Sequence, residues 1–174
     1  MRKTKESAKM ENLTTPAGAH NRLQPIRGYL FKKGLTMSEL SRRCQHKLSR
    51  GGVGYRVRVG DCMMADLADM AEAAGYKFVW HWENVRPVEP SPRAVRLPNK
   101  LHSELLRPVL TYLFEKNISV PDLAKKCGIS GPGMAFRIRE GVCMMSQMEE
   151  MADAAGYKFV WSWEEIPEET TAAE

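Results

Sequence analysis

Four cysteines and four histidines are the side chains of this 174-residue sequence best suited to metal or redox chemistry, and their spacing gives them neither task. Cys44, Cys62, Cys127 and Cys143 make no C-x-x-C pair, and His20, His46, His81 and His102 do not converge with them on ligand spacing. No metal site is expected. Nothing in the sequence points to export, so the thiols are expected to be reduced, in a cytoplasmic protein. A nucleophile motif, a phosphate loop and paired catalytic carboxylates are also missing, so neither an enzyme nor a bound cofactor is expected. What remains is cationic and aromatic: two Arg-x-Arg steps, Arg56 with Arg58 and Arg137 with Arg139, and four tryptophans.

The 26 Lys and Arg exceed the 21 Asp and Glu by +5. That excess is uneven: +3 over residues 1–22, +4 over 23–85, +2 over 86–99, −1 over 100–166 and −3 over 167–174. A basic first half fits a polyanionic partner, and a solvated basic surface fits the same charge. With 43% hydrophobic and 27% charged residues the chain can build a core, and no apolar run approaches the about 20 residues of a membrane helix. No membrane partner is expected.

The elements that position these groups come in duplicate. The hexapeptide GYKFVW occurs at Gly75 and again at Gly156, an offset of 81, and at that offset Val53 to Glu83 matches Met134 to Glu164 at 18 of 31 positions. Upstream the offset is 83, pairing the YLF of Tyr29 to Phe31 with that of Tyr112 to Phe114 and Cys44 with Cys127. Copy one thus carries two extra residues in the stretch Gln45-His46-Lys47, which predicts a turn there. Between the copies, residues 86–99 hold four prolines, the composition of an extended, semi-rigid linker that allows either relative orientation. The organisation read from this is a basic disordered arm (1–22), a first unit (23–85), the linker (86–99), a second unit (100–166) and an acidic disordered tail (167–174).

Each copy predicts four helices and a strand. Helix one opens at Pro25 or Pro108 and stops at Gly34 or Asn117. Helix two opens on a capping arrangement, Thr36-x-x-Glu39 or Ser119-x-x-Asp122. In copy two a turn at Cys127-Gly128-Ile129-Ser130 leads into helix three, with Ser130 as its cap and Met134 and Ile138 inward. In copy one the equivalent Val53, Tyr55, Val57 and Val59 alternate with Gly and Arg, which by periodicity alone reads as a strand. Helix four carries Leu67, Met70, Ala71 and Ala74, or Met148, Met151, Ala152 and Ala155, at helical spacing, with Ser146 and Glu149 as the cap of the second. The segments Tyr76 to Glu83 and Tyr157 to Glu164 then alternate as strands. A lone strand needs a partner, and antiparallel pairing of the two would give a pseudo-twofold with Trp80, Trp82, Trp161 and Trp163 in a shared core. Pairing between two chains in a homodimer is the competing arrangement.

The run Leu123-Ala-Lys-Lys-Cys-Gly-Ile-Ser130, with Met134, Arg137, Ile138 and Gly141 and the helix-four pattern behind it, resembles the helix-turn-helix domain of the lambda-repressor-like (XRE-type) regulators. It is similar to small phage and mobile-element versions that end in a β-strand. The resemblance covers both copies and is better in copy two. In copy one Ser41 stands for Ala124, Gln45-His46-Lys47 replaces the turn glycine, and Gly51, Gly52 and Gly54 weaken helix three by about 1 kcal/mol each.

The resemblance implies a mainly α fold, two tandem four-helix helix-turn-helix domains each followed by a β-strand. It also implies that helix three enters the major groove of double-stranded DNA while helix two touches phosphates. Base-reading candidates are Arg50, Gly51, Gly52, Tyr55 and Arg56 in copy one and Gly131, Gly133, Phe136 and Arg137 in copy two, with Arg58 and Arg139 at the helix ends. Arginine grips guanine bidentately, and Tyr or Phe can meet thymine methyls. Ser49 and Ser130 could donate to phosphate, as could Arg42, Arg43, Lys47, Lys125 and Lys126. Ion pairing within the domain is the alternative for the arginines, and a core position is the alternative for Tyr55 and Phe136. The function expected is sequence-specific DNA binding by a transcriptional regulator, a repressor, acting as a monomeric pseudo-dimer or a homodimer. A protein-interaction module on the same scaffold is the rival.

Overall fold

In the computed structural model, residues 21–44, 52–92, 95–96 and 100–166 are described. Among them the order is α1 (Pro25–Lys32), α2 (Met37–Arg43), α3 (Gly52–Val59), α4 (Met64–Ala73), β1 (Tyr76–Asn84), α5 (Arg107–Glu115), α6 (Val120–Lys126), α7 (Gly131–Glu140), α8 (Met145–Ala154) and β2 (Tyr157–Glu165). These residues are helix-rich with one two-stranded antiparallel sheet among them. The arm 1–20, the turn predicted at Gln45-His46-Lys47, and the tail 167–174 lie outside the described residues.

Local chemistry sets most helix ends. Pro25 and Pro108 sit in the first turn of α1 and α5, where a missing N–H costs nothing. Both helices stop on a residue in the left-handed region, Gly34 (φ +63°) and Asn117 (φ +52°). The next amide then folds back in each case, Leu35 N–H to the Leu30 carbonyl (2.9 Å) and Ile118 N–H to that of Leu113 (2.8 Å). Thr36 caps α2 in a reciprocal box, its Oγ accepting from Glu39 N–H (3.1 Å) while the Glu39 carboxylate accepts from Thr36 N–H (2.7 Å). Ser119 and Ser130 cap α6 and α7 by accepting from Asp122 N–H (3.2 Å) and Gly133 N–H (3.1 Å). The cap of α8 differs from expectation. Met144 takes the N-cap place, with its N–H satisfied by Gln147 Oε1 (3.0 Å), and Ser146 lies inside the helix, its N–H donated to Asp61 Oδ1 (3.1 Å).

The conflicting periodicity of Val53 to Val59 resolves as a helix. Val53 and Val57 are buried whereas Tyr55 and Val59 are exposed, a split that i, i+4 spacing produces and that a strand, with all four on one face, would forbid.

β1 and β2 pair antiparallel, Tyr76 opposite Glu165 through Asn84 opposite Tyr157. The central pair is Trp80 with Trp161, which are equivalent residues of the two copies. A register centred on equivalent residues places a local twofold axis through that pair. An isolated bridge between Met63 and Met144, again equivalents, lies on the same symmetry, closed by Met64 N–H to the Cys143 carbonyl (2.8 Å) and Met145 N–H to that of Cys62 (2.9 Å).

Through this pairing the copies exchange aromatic side chains. Trp163 of copy two packs on Tyr29 and Tyr76 of copy one, with centroids 5.3 and 5.9 Å away, and Trp82 of copy one packs on Tyr112 and Tyr157 at 5.4 and 5.7 Å. Those two tryptophans are buried; Trp80 and Trp161 are half-buried and meet Phe159 and Phe78. The expected shared core is therefore built of tryptophan on tyrosine and phenylalanine across the axis. The Tyr29 hydroxyl also accepts from Trp163 N–H (3.1 Å), satisfying an outward amide of β2. Both buried indole N–H groups, Trp82 Nε1 and Trp163 Nε1, lack an acceptor among the described residues, a cost of about 1–3 kcal/mol each that ring burial must exceed.

The linker is fastened to copy two. Val85 and Arg86 N–H both donate to the Gly156 carbonyl (3.1 Å), Arg86 Nη1 pairs with Asp153 (2.7 Å), and Ser91 Oγ accepts from Ser119 N–H (2.8 Å). Gly156 admits this approach because a Cβ there would lie 2.5 Å from the Arg86 carbonyl oxygen, whereas its equivalent, Gly75, faces open space. At the other end, Asn21 bonds the Val57 carbonyl (2.9 Å) and Arg22 pairs with Glu149 of α8 (2.6 Å), so the last two residues of the expected arm belong to the fold.

Because Trp163 fills the copy-one cluster, Trp163→Ala should lower unfolding free energy by about 3–5 kcal/mol. In urea titration the change should reach copy one and copy two together, as a single transition. Loss of less than about 1 kcal/mol would contradict the exchanged packing.

Candidate nucleic-acid interface

α3 and α7 occupy equivalent places before the Met63 and Met144 bridge, and each turns the same kind of stripe outward. On α3 it carries Tyr55, 59% exposed, and Arg58; on α7, Phe136, 51% exposed, and Arg139. In both, a guanidinium lies over the ring three residues earlier, with Arg58 Cζ 5.6 Å from the Tyr55 centroid and Arg139 Cζ 5.9 Å from that of Phe136. The repeat at Tyr55/Phe136 and Arg58/Arg139 was visible in the sequence, but its pairing needed the helical spacing to be settled. Neither ring is a core residue.

The other arginine of each step turns inward. Arg56 Nη2 pairs with Asp66 of α4 at 3.0 Å, both half-buried, so this base-reading candidate is engaged within its own unit. In copy two position 147 is Gln, committed to Met144 N–H, and Arg137 lacks that counterpart. The positive charge of Arg137 acts instead on the Cys127 and Cys143 thiols.

Beside α3 runs a cleft of about 880 Å³ lined by Tyr55, Arg56, Arg58, Asp61, Asp66 and, from across the axis, Met144. Its two acids are already occupied, Asp66 by Arg56 and Asp61 by Ser146 N–H. Asp61 and Met144 were not singled out from sequence, since only the pairing across the axis brings Met144 here and Ser146 to Asp61. Arg42 and Arg43 are exposed at the end of α2, and Lys125 and Lys126 at the equivalent end of α6. Gly52 is buried at the start of α3, and Gly131 and Gly133 form the bare first turn of α7 beneath the Ser130 cap. Lys47, Ser49, Arg50 and Gly51 lie outside the described residues.

Arg139 is also tied at Nε to Glu140 (2.8 Å), which pairs with His102 (2.9 Å). Hydrogen bonds from Arg139 and then His102 hold the Glu140 carboxyl below the usual glutamate range, so it stays ionised beside the guanidinium. Position 59, its equivalent in copy one, is valine.

All four cysteines are free thiols. Burial pushes Cys62 and Cys143 up to about 12, the acids near Cys62 adding to it, and raises Cys44 and Cys127 as well. Among the described residues no group of three or more His, Cys, Asp or Glu could hold a metal ion, and no helix is long and apolar enough to cross a membrane. Alkylation of the native protein near pH 8, followed by mass spectrometry, should label the half-exposed Cys127 well before Cys62 and Cys143. Early labelling of either buried thiol would show that the Met63 and Met144 bridge opens readily.

Comparison with family models, with curated proteins and with solved structures finds no match to this chain, so the reading of this surface rests on its own residues.

Proposed function

We propose that the chain is a sequence-specific double-stranded-DNA-binding regulator, a repressor of the lambda-repressor-like kind, whose two helix-turn-helix units are α2 with α3 and α6 with α7. The observation that carries this is the repeated outward stripe of ring and guanidinium on α3 and α7, with basic ends of α2 and α6 beside it. Base edges are met by the stripe, and phosphates by Arg42, Arg43, Lys125 and Lys126.

A single chain then does what two subunits do in a dimeric repressor. Equivalents related by a twofold call for an inverted repeat rather than a direct one. Geometry allows the spacing. Half of α3 spans about 5 Å at 1.5 Å per residue. The extended chain from Val59 to Met63 adds at most about 14 Å. Half a strand spacing adds about 2.5 Å. Helix centres can thus lie up to about 43 Å apart, which includes the about 34 Å of one DNA turn.

A second reading, a protein-interaction module, is favoured by one observation. Phe31, 87% exposed, stands at an apolar groove of about 410 Å³ with Leu30, Leu35, Met37 and Val57, and its equivalent Phe114 is 62% exposed.

Selection of sites from a random duplex pool by the full chain should return an imperfect inverted repeat. Because Arg42 is assigned to a phosphate, Arg42→Ala should reduce the slope of log K against log salt by about 0.9, whereas Arg58→Ala should relax base preference in one half-site. Arg56→Ala should change that slope less. No salt-dependent binding to any duplex would leave the second reading standing.

A further inference from the structure

We propose that each half-site is read at one dinucleotide step, a guanine gripped by Arg58 or Arg139 next to a base pair carrying a C5-methylpyrimidine that packs against Tyr55 or Phe136. This rests on the DNA-binding reading and assigns its sequence class.

Three observations converge on it. The first turns of both helices are bare: on α3, Gly52, buried Val53 and Gly54 precede Tyr55, and on α7, Gly131, Pro132, Gly133, buried Met134 and Ala135 precede Phe136. Within the helices as described no long side chain on the outward face precedes the ring, so each helix can seat deeply, and the ring and the arginine three residues on are the first of its groups to meet base edges. Ring and guanidinium then lie on one stripe, as residues three apart on a helix must. Their separations of 5.6 and 5.9 Å are less than two base-pair rises of about 3.4 Å. A guanidinium level with one base pair can therefore have its ring at the level of the next.

The chemistry at each level follows from the groups. Guanine offers O6 and N7 to a guanidinium in the major groove, and the C5-methyl is the apolar feature that a ring can cover. On α7 the Nε of Arg139 is held by Glu140, which leaves the two terminal nitrogens for the guanine edge. Arg58 has no such tether, since valine stands at position 59, so the two half-sites are read by the same pair with different rigidity. The methyl can belong to thymine or to 5-methylcytosine, which share this feature.

The test uses the full chain on duplexes carrying the selected site. Replacing the thymine next to the gripped guanine by uracil deletes one methyl and should weaken binding about fourfold in that half-site. Where the pair is C·G instead, 5-methylcytosine should bind more tightly than cytosine by a similar factor. Replacing the guanine by 7-deazaguanine should cost between about fivefold and about a hundredfold. Tyr55→Ala and Phe136→Ala, both at exposed positions that leave the core intact, should each abolish the thymine-versus-uracil difference in one half-site while keeping salt-dependent binding to random duplex. Equal affinity for thymine and uracil in both half-sites overturns the proposal, as does a methyl effect that survives both alanine variants. Either result leaves DNA binding itself in place, whereas absence of salt-dependent duplex binding refutes both.

Discussion

The rest of the structure depends on the hydrogen-bonded pairing of β1 with β2. A strand behind a helical unit leaves its N–H and C=O groups unpaired and an aromatic face uncovered, and the chain pairs one edge of each strand and packs that face with its own repeat. Once Trp80 lies opposite Trp161, little is left to choose. The axis is fixed, Trp82 and Trp163 cross to the opposite copy, and the Met63 and Met144 bridge forms where the same symmetry brings the starts of α4 and α8 together. Each unit of this size would be marginal by itself. Exchange of one tryptophan in each direction ties their stabilities.

The pairing also sets where the outward helices end up. α3 and α7 each terminate four residues before the bridge, so the C-terminal end of each is tethered to the axis by an equivalent short segment. A linker free to swing would lose this, and the chain prevents swinging twice over. Arg86 to Ser91 is bonded along copy two, and Arg22 joins the start of copy one to α8.

Much of this was legible in the sequence because it is written in local chemistry or in the repeat. The caps at Thr36, Ser119 and Ser130, the stops at Gly34 and Asn117, and the need of each strand for its equivalent all follow from short-range rules. What could not be read depends on tertiary contacts. Val53 to Val59 satisfies both periods, and only the burial of Val53 and Val57 against their unit decides for helix. In sequence Arg56 and Arg58 are equal candidates, and it is the half-buried Asp66, ten residues on, that claims Arg56. The linker composition allowed any docking, and Gly156 with Ser91 selected one. Ser146 carries the right residue type for a cap, but the bridge at Met144 starts the helix a residue before it can serve.

Two copies in one chain can differ where two identical subunits cannot, and the differences here are sorted by position. Met63, Trp80 and Trp82 at the axis are the same in both copies, whereas exposed His81 beside them stands against Ser162. Away from the axis the copies part: Asp66 against Gln147 behind the inner arginine, and Val59 against Glu140 beside the outer one. These substitutions leave the ring and guanidinium of each stripe in place and alter only what constrains them. A homodimer would present two identical faces to the two halves of a site. This chain presents one tethered arginine and one untethered one on a symmetric frame, and on the proposed DNA-binding reading its tolerance for mismatch differs between the two half-sites.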